Sequence, residues 1–294
     1  MAYKRKGTRY KRKAKRRTRK SPAALKGGNN PVIFYSKRHY GDHILNLKFL
    51  FNISNKMKEK GIKVKYIYDP DYIKNVDELE RYVNPETLEL EAFKEPMPHS
   101  ATELWMGNAI EGKAKACVGD CIFDKYFPEF YTMILSKLGI DPAGIDVSLY
   151  QDEPYLQEIY KKLDPKFKDL DILIINAEPK SGQFTYDKKK LEDVSSKLSK
   201  TFKIAVTTPL DEDKSVVCTM TDKLKLQDIG AISTHAKHII AVHSGPLMAC
   251  YTAATKASVK KWIILNDWDL KHSEINNVVL THNYDYGIIE QHIK

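Results

Sequence analysis

The run Asp171-Ile172-Leu173-Ile174-Ile175-Asn176 limits the fold more than any other feature of the chain. Four large apolar side chains in a row leave no polar side for solvent, so a strand made of them must be covered on both faces. That is the mark of a parallel sheet with helices above and below it. Val32-Ile33-Phe34-Tyr35, His238-Ile239-Ile240-Ala241-Val242 and Trp262-Ile263-Ile264-Leu265-Asn266 repeat the pattern. Shorter strands are predicted at Val64–Tyr68, Leu88–Phe93, Ile204–Thr207 and Val216–Thr219, with a further one at Val118–Phe123. Between them the apolar spacing predicts an amphipathic helix from Ile44 to Lys60, stopped by Gly61. Further helices are predicted over about 74–83, 125–138, 153–162, 187–199, 228–236 and 247–255. Strand and helix alternate twice, with Trp262–Asn266 closing the second set. The class is therefore α/β, with two Rossmann-like domains over 29–152 and 169–294 joined by a linker over 153–168.

Charge is distributed unevenly. Twelve of the 48 Lys and Arg residues lie in the first twenty positions, where there is no acid, leaving 36 bases against 38 acids in the rest. The net charge of +10 thus describes a polybasic tail over 1–28, read as disordered because it has nothing to bury, and not a basic body. Lys11, Arg12, Lys13, Lys15, Arg16 and Arg17 are its polyanion-binding candidates. Three partners suit them: nucleic acid, an anionic membrane surface, or a nuclear import receptor. The bland reading is a solubilising extension. No stretch approaches 18 apolar residues, and no apolar segment follows the basic start, so neither a membrane span nor a secretory signal is expected. Four sparse cysteines read as reduced thiols in an intracellular protein, cytoplasmic or membrane-peripheral, with a nuclear address as the tail's other use.

Ligands of open parallel sheets bind beyond the carboxyl ends of the strands. Three loops qualify: 36–43, 177–184 and 243–247. In the last, His243-Ser244-Gly245-Pro246 turns a strand into a helix. Pro is tolerated in the first turn, the small residues allow close approach, and free N–H groups face the cleft, which suits a phosphate; a plain cap and turn reads equally well. Lys180-Ser181-Gly182-Gln183 offers a cation, a hydroxyl and an amide at another strand end, where a surface turn is the alternative. The first loop, Lys37-Arg38-His39-Tyr40-Gly41-Asp42-His43, is rich in ionisable groups. Asp42 reads either as an N-cap or as a general base, and a capped carboxylate is the weaker base. Trp105-Met106-Gly107-Asn108 reads as a sugar-stacking surface or as packing. No metal site is expected: His235 and His238 lack a third ligand, Cys117 and Cys121 lack a second pair, and Asp267-Trp268-Asp269 falls after the last strand.

With these loops in place, the sequence resembles the two-Rossmann (GT-B) glycosyltransferases, and most of all the heptosyltransferase-like family 9. Two motifs carry the likeness. One is strand Val32–Tyr35 followed by Gly41-Asp42 and an apolar helix. The other runs from Leu224-x-Leu226-Gln227-Asp228-Ile229-Gly230-Ala231 to His243-Ser244-Gly245-Pro246-Leu247-Met248. The resemblance implies two domains facing a central cleft and an inverting transfer of a sugar from a nucleotide-sugar to a hydroxyl of a glycan, lipid or protein. The nucleotide-sugar is a substrate, and no cofactor or metal is implied. Asp42 takes the role of base and Lys180 assists the leaving diphosphate. Ser181, Gly182, Gln183, His243, Ser244, Gly245 and Pro246 bind the donor, while Arg38, His39, Trp105 and Asn108 face the acceptor. The chain departs from the family in having His243 where Asp is common, and Asn46-Leu47-Lys48 where Thr-Pro is usual. A nucleic-acid- or polyanion-associated protein with a catalytically inactive α/β body is the alternative. A Rossmann oxidoreductase is disfavoured, since no Gly-x-Gly-x-x-Gly follows either first strand.

Overall fold

The computed structural model describes residues 30–105, 122–148, 152–179, 186–265, 273–275, 277–281 and 284–294. The basic tail lies outside them, as do Lys180, Ser181, Gly182, Gln183, Asn108, Cys117, Cys121 and Asp267-Trp268-Asp269.

The first half builds a parallel sheet in the order β3-β2-β1-β4, from β1 (Val32–Ser36), β2 (Val64–Tyr68), β3 (Leu88–Ala92) and β4 (Thr102–Glu103). The chain leaves β1 for β2 and β3 on one side and returns to β4 on the other. The carboxyl end of β1 is thus a topological switch point, the place where such sheets bind ligands. The second half forms a larger sheet, ordered β10-β11-β9-β8-β5-β6-β7. Its strands are β5 (Ile172–Ile175), β6 (Ile204–Val206), β7 (Val217–Cys218), β8 (His238–Val242), β9 (Lys261–Leu265), β10 (Ser273–Ile275) and β11 (Val278–Thr281). All pairs are parallel except β10 with β11. Here the switch falls between β5 and β8. The three loops singled out from the sequence all follow strands that flank these two switch points.

The helices are α1 (Tyr40–Asn52), α2 (Ser54–Glu59), α3 (Asp77–Glu80), α4 (Ile122–Lys137), α5 (Tyr155–Lys162), α6 (Lys188–Leu198), α7 (Leu226–Ser233), α8 (Gly245–Ala249), α9 (Ala253–Ser258) and α10 (Tyr286–Ile293). Several sequence expectations need correction. The helix expected from Ile44 to Lys60 breaks at Ile53, whose N–H bonds back to Phe49 O. The helix expected over 247–255 is two short ones, with a turn at Cys250–Thr252. Ile122 and Phe123 begin α4 and are not a strand. Trp262–Leu265 does not close the sheet, because β11 adds beyond β9 and α10 packs behind them.

The largest correction concerns α1. It is not amphipathic: every residue from His43 to Leu50 is buried. Its apolar side chains Ile44, Leu47 and Leu50 pack in one continuous core with Leu156 of the connecting segment and Ile229, Leu247 and Met248 of the second half. The second half thus covers the face that would otherwise meet water. The strands of the second sheet divide with period two between this shared core and a separate one. Leu173, Ile175, Ile239 and Ala241 face the shared core, whereas Ile172, Ile174, Ile240 and Val242 pack with α6 and α10.

Candidate functional site

The site is built on two helix starts. In α1, His39 is the N-cap in extended conformation, with no side-chain cap bond, and Asp42 lies in the first turn. Asp42 is therefore not the N-cap that the sequence left open. A carboxylate in the first turn meets unpaired N–H groups and is favoured there. Burial nevertheless pushes its carboxyl up to about 6, against the Arg38 cation and backbone hydrogen bonds at Asp42 and His39, which pull it down. A half-buried carboxylate with such a pKa can hold a proton near neutral pH and release it again, as a general base must.

The wall behind Asp42 is polar and sealed. His43 Nδ1 lies 3.1 Å from Tyr66 Oη, their rings meeting edge-on at 5.7 Å. Asn46 Nδ2 donates to Tyr66 Oη at 3.1 Å and to Leu104 O at 2.9 Å. Burial pushes the Tyr66 phenol well up and lowers His43 to about 4. His43 is thus a neutral neighbour at pH 7, and the Tyr66 phenol stays protonated.

In front of Asp42, Arg38 reaches across the β1/β4 switch point. Its guanidinium stacks 3.7 Å from the centroid of Trp105, and its Nε lies 3.6 Å from Glu103 Oε1. His39 meets the exposed Tyr72 edge-on at 5.1 Å, and Lys37 Nζ sits 4.1 Å over the Phe93 ring. The structure therefore places Arg38, with Trp105 stacked on it, and His39 next to the start of α1 that carries Asp42. Phe93 and Tyr72 were not read from the sequence. Both sit near strand or turn ends with no periodicity to mark them.

The second start is α8. Ser244 is its N-cap in extended conformation and makes no side-chain cap bond. The Ser244 hydroxyl is buried and has no hydrogen-bond partner in the protein. A buried polar atom without a partner costs stability unless something else supplies the bond, so this hydroxyl fits a ligand better than a cap. Burial lowers the neighbouring His243 to about 4, so it carries no charge here. Since α8 has only five residues, backbone amides and not a long macrodipole are what it can offer an anion.

The two starts touch. A Cβ on Gly41 would lie 3.0 Å from Met248 Cγ and 3.5 Å from Gly245 Cα. One on Gly245 would lie 3.5 Å from Tyr40 Cβ and 3.6 Å from Gly41 N. Paired glycines let the backbones of α1 and α8 approach this closely. Asp42 and Ser244, more than 200 positions apart in sequence, thus flank a single junction. Behind it, Gly230 performs the same service for α7: a Cβ there would lie 2.8 Å from Ala249 O. Two glycines of the resemblance motifs, Gly41 and Gly230, are therefore explained by packing.

No family model and no curated protein matches the sequence. Among solved structures the chain is similar to E. coli heptosyltransferase WaaC with ADP-2-deoxy-2-fluoro heptose, at 9% identity over 89% of this chain and 98% of that one, with a TM-score of 0.52. Against the same enzyme with ADP the identity is 11% over the same shares, with a TM-score of 0.50. The chain shares its fold with heptosyltransferase WaaC. At this identity the likeness speaks to the fold alone. Among the described residues, no group of three or more His, Cys, Asp or Glu is placed to hold a metal. His235 instead stacks on Tyr160 with ring centroids 3.6 Å apart, and His238 is a buried strand residue. Cys218 and Cys250 are free and buried, with burial pushing the Cys250 thiol up to about 12. No described helix is long and apolar enough to cross a membrane.

Proposed function

We propose that this protein is a glycosyltransferase that moves a sugar from a nucleotide-sugar to a hydroxyl acceptor, with inversion and without a resident metal. The observation that carries the reading is the junction itself: a carboxyl with a pKa of about 6 and a buried, unpartnered hydroxyl flank it from opposite halves of a WaaC-like fold.

The donor's diphosphate lies against Ser244-Gly245-Pro246, with the Ser244 hydroxyl and the backbone of the α8 turn as its partners. Lys180, Ser181, Gly182 and Gln183 follow β5, the strand next to β8 in the sheet, and complete the donor site. The acceptor enters past Arg38, His39 and Trp105, and Asn108 follows the same strand as Trp105. Asp42 accepts the proton of the acceptor hydroxyl. That oxygen attacks the anomeric carbon as the bond from carbon to diphosphate oxygen breaks, so the configuration inverts. The nucleoside diphosphate departs, with Lys180 and the α8 turn stabilising the charge that develops on it. His243 stands where the family commonly has an acid. As a neutral imidazole it adds no repulsion towards the diphosphate.

The tail is a separate element in this reading. Lys11, Arg12, Lys13, Lys15, Arg16 and Arg17 hold the enzyme at an anionic surface, where a lipid-linked acceptor would be presented. The test is turnover with a panel of ADP-, UDP-, GDP- and CMP-sugars, read as release of the nucleotide. Release that requires both an acceptor and Asp42 supports the proposal; absence of release with every donor contradicts it.

A further inference from the structure

Lys48, in the stretch Asn46-Leu47-Lys48 that departs from the family pattern, is buried in the middle of α1 among the mostly apolar residues Ile44–Phe51. Its ammonium donates to Met248 O at 3.3 Å and Tyr251 O at 2.9 Å, and lies 2.6 Å from Glu153 Oε2. Two carbonyls accept hydrogen bonds from the ammonium and the Glu153 carboxylate pairs its charge, although Glu153 Oε2 accepts no hydrogen bond. These partners come from two places. Met248 and Tyr251 supply carbonyls at and just past the end of α8, a place that favours a cation. Glu153 belongs to the segment that enters α5. Its other oxygen accepts from Tyr155 Oη at 2.6 Å, which orients the carboxylate.

We propose that Lys48 is the positioning residue that sets the geometry between Asp42 and the Ser244-Gly245 turn. Asp42 and Lys48 are six positions apart on α1, about 9 Å along its axis. The first turn of α1 meets the start of α8 through Gly41 and Gly245; its third turn meets the end of α8 through Lys48. Contact at two points fixes both the slide and the rotation of one short helix along the other. A five-residue helix that breaks at Cys250 has little rigidity of its own, so the Lys48 ammonium supplies it. This role rests on the proposed glycosyl transfer for its consequence in catalysis, but the geometry it claims can be read without activity.

The experiment is hydrogen–deuterium exchange on the full chain, following peptides over 40–47 and 244–251. The variants are Lys48→Met, the neutral pair Lys48→Met/Glu153→Gln, and Leu198→Ala as a control that loosens the far core. The neutral pair avoids leaving Glu153 as an unpaired buried charge and keeps an acceptor for Tyr155, so it is the variant to rely on should Lys48→Met fail to fold. The expected result is at least about tenfold faster exchange in both peptides of the neutral pair, with peptides over β5 and β8 unchanged. Turnover then drops at least about tenfold while ADP affinity by calorimetry stays within about threefold. Unchanged protection of the two peptides in the neutral pair overturns the proposal. So does equal loosening of them by Leu198→Ala, which would make the effect one of general stability. If no sugar transfer is found in the wild type, the proposed function fails, and exchange alone still decides the role of Lys48.

Discussion

α1 opens with Asp42 in its first turn and ionisable neighbours on either side; α8 opens with Ser-Gly-Pro and has no acidic or basic residue in its first turn. Both follow a parallel strand at a topological switch point, and both need glycine to approach the other. The difference lies in what burial does to them. At α1 it acts on charge, lifting Asp42 to about 6 and holding His43 near 4. At α8 it strands a neutral hydroxyl. In the proposed reaction one start exchanges a proton, and the other receives hydrogen-bond acceptors such as phosphate oxygens. A reaction that needs both must draw on both halves of the chain.

The largest effect should come from removing the proton acceptor. Asp42→Asn should lower turnover by about 10²–10⁴-fold while the affinity for a nucleoside diphosphate stays within about threefold. Steady-state kinetics beside calorimetry checks this, and unchanged turnover would remove Asp42 from the chemistry.

Next in size is Gly230→Ala, which strikes the packing that holds α8 and neither start directly. With Ala249 O only 2.8 Å from the new Cβ, the variant should lose about 1–3 kcal/mol in denaturant unfolding. Gly245→Ala, whose Cβ meets its neighbours at 3.5–3.6 Å, should lose far less. Equal losses would mean that α7 can yield where the structure shows it cannot.

The Asp42 carboxyl and the two buried imidazoles, His43 beside it and His243 before α8, should also respond to pH with opposite signs. Asp42 has a folded pKa above its ordinary value, so the folded state keeps a proton that the unfolded chain releases. Its contribution is present below about pH 4 and is lost as pH rises through about 6. Asp42→Asn should therefore be more stable than wild type at pH 8, by about 1–3 kcal/mol, and no more stable near pH 3. His43 and His243, held near 4, contribute fully above about pH 6.5 and lose that contribution as pH falls from there towards 4. Unfolding curves between about pH 3 and 8 would show whether the asparagine variant's advantage has this window.

The smallest effect on folding belongs to Ser244→Ala. The hydroxyl has no protein partner to lose, so stability should change by less than about 1 kcal/mol in either direction. A larger loss would show that Ser244 serves the fold.

Much of this architecture was legible because unbroken apolar runs have only one comfortable home. β1, β5, β8 and β9 follow from them, and the loops at their ends follow from sheet topology. The rest was set by distant partners. β4 is two residues long beside a proline-rich segment and carries no period of its own. β11 and α10 lie past the point where the alternation reads as finished. The unbroken burial of His43–Leu50 in α1 draws on a second half whose contacts arrive about 200 positions later, so local spacing mistakes it for a surface helix. Lys48 had a signal, a lone cation amid Ile44-Leu45-Asn46-Leu47-Lys48-Phe49-Leu50-Phe51, but its acceptors could be known only from the fold. Asp42 and Ser244 were legible as candidates. The family resemblance implied that they face one cleft, but the glycine contacts that bring the two starts together could be known only from the fold.

Calorimetric titration of ADP and UDP into the wild type, Ser244→Ala and Asp42→Asn tests the division between the two starts most directly. The account predicts measurable binding of at least one of them to the wild type, about tenfold or more weaker binding to Ser244→Ala, and nearly unchanged binding to Asp42→Asn. No binding to the wild type, or equal losses in both variants, would contradict it.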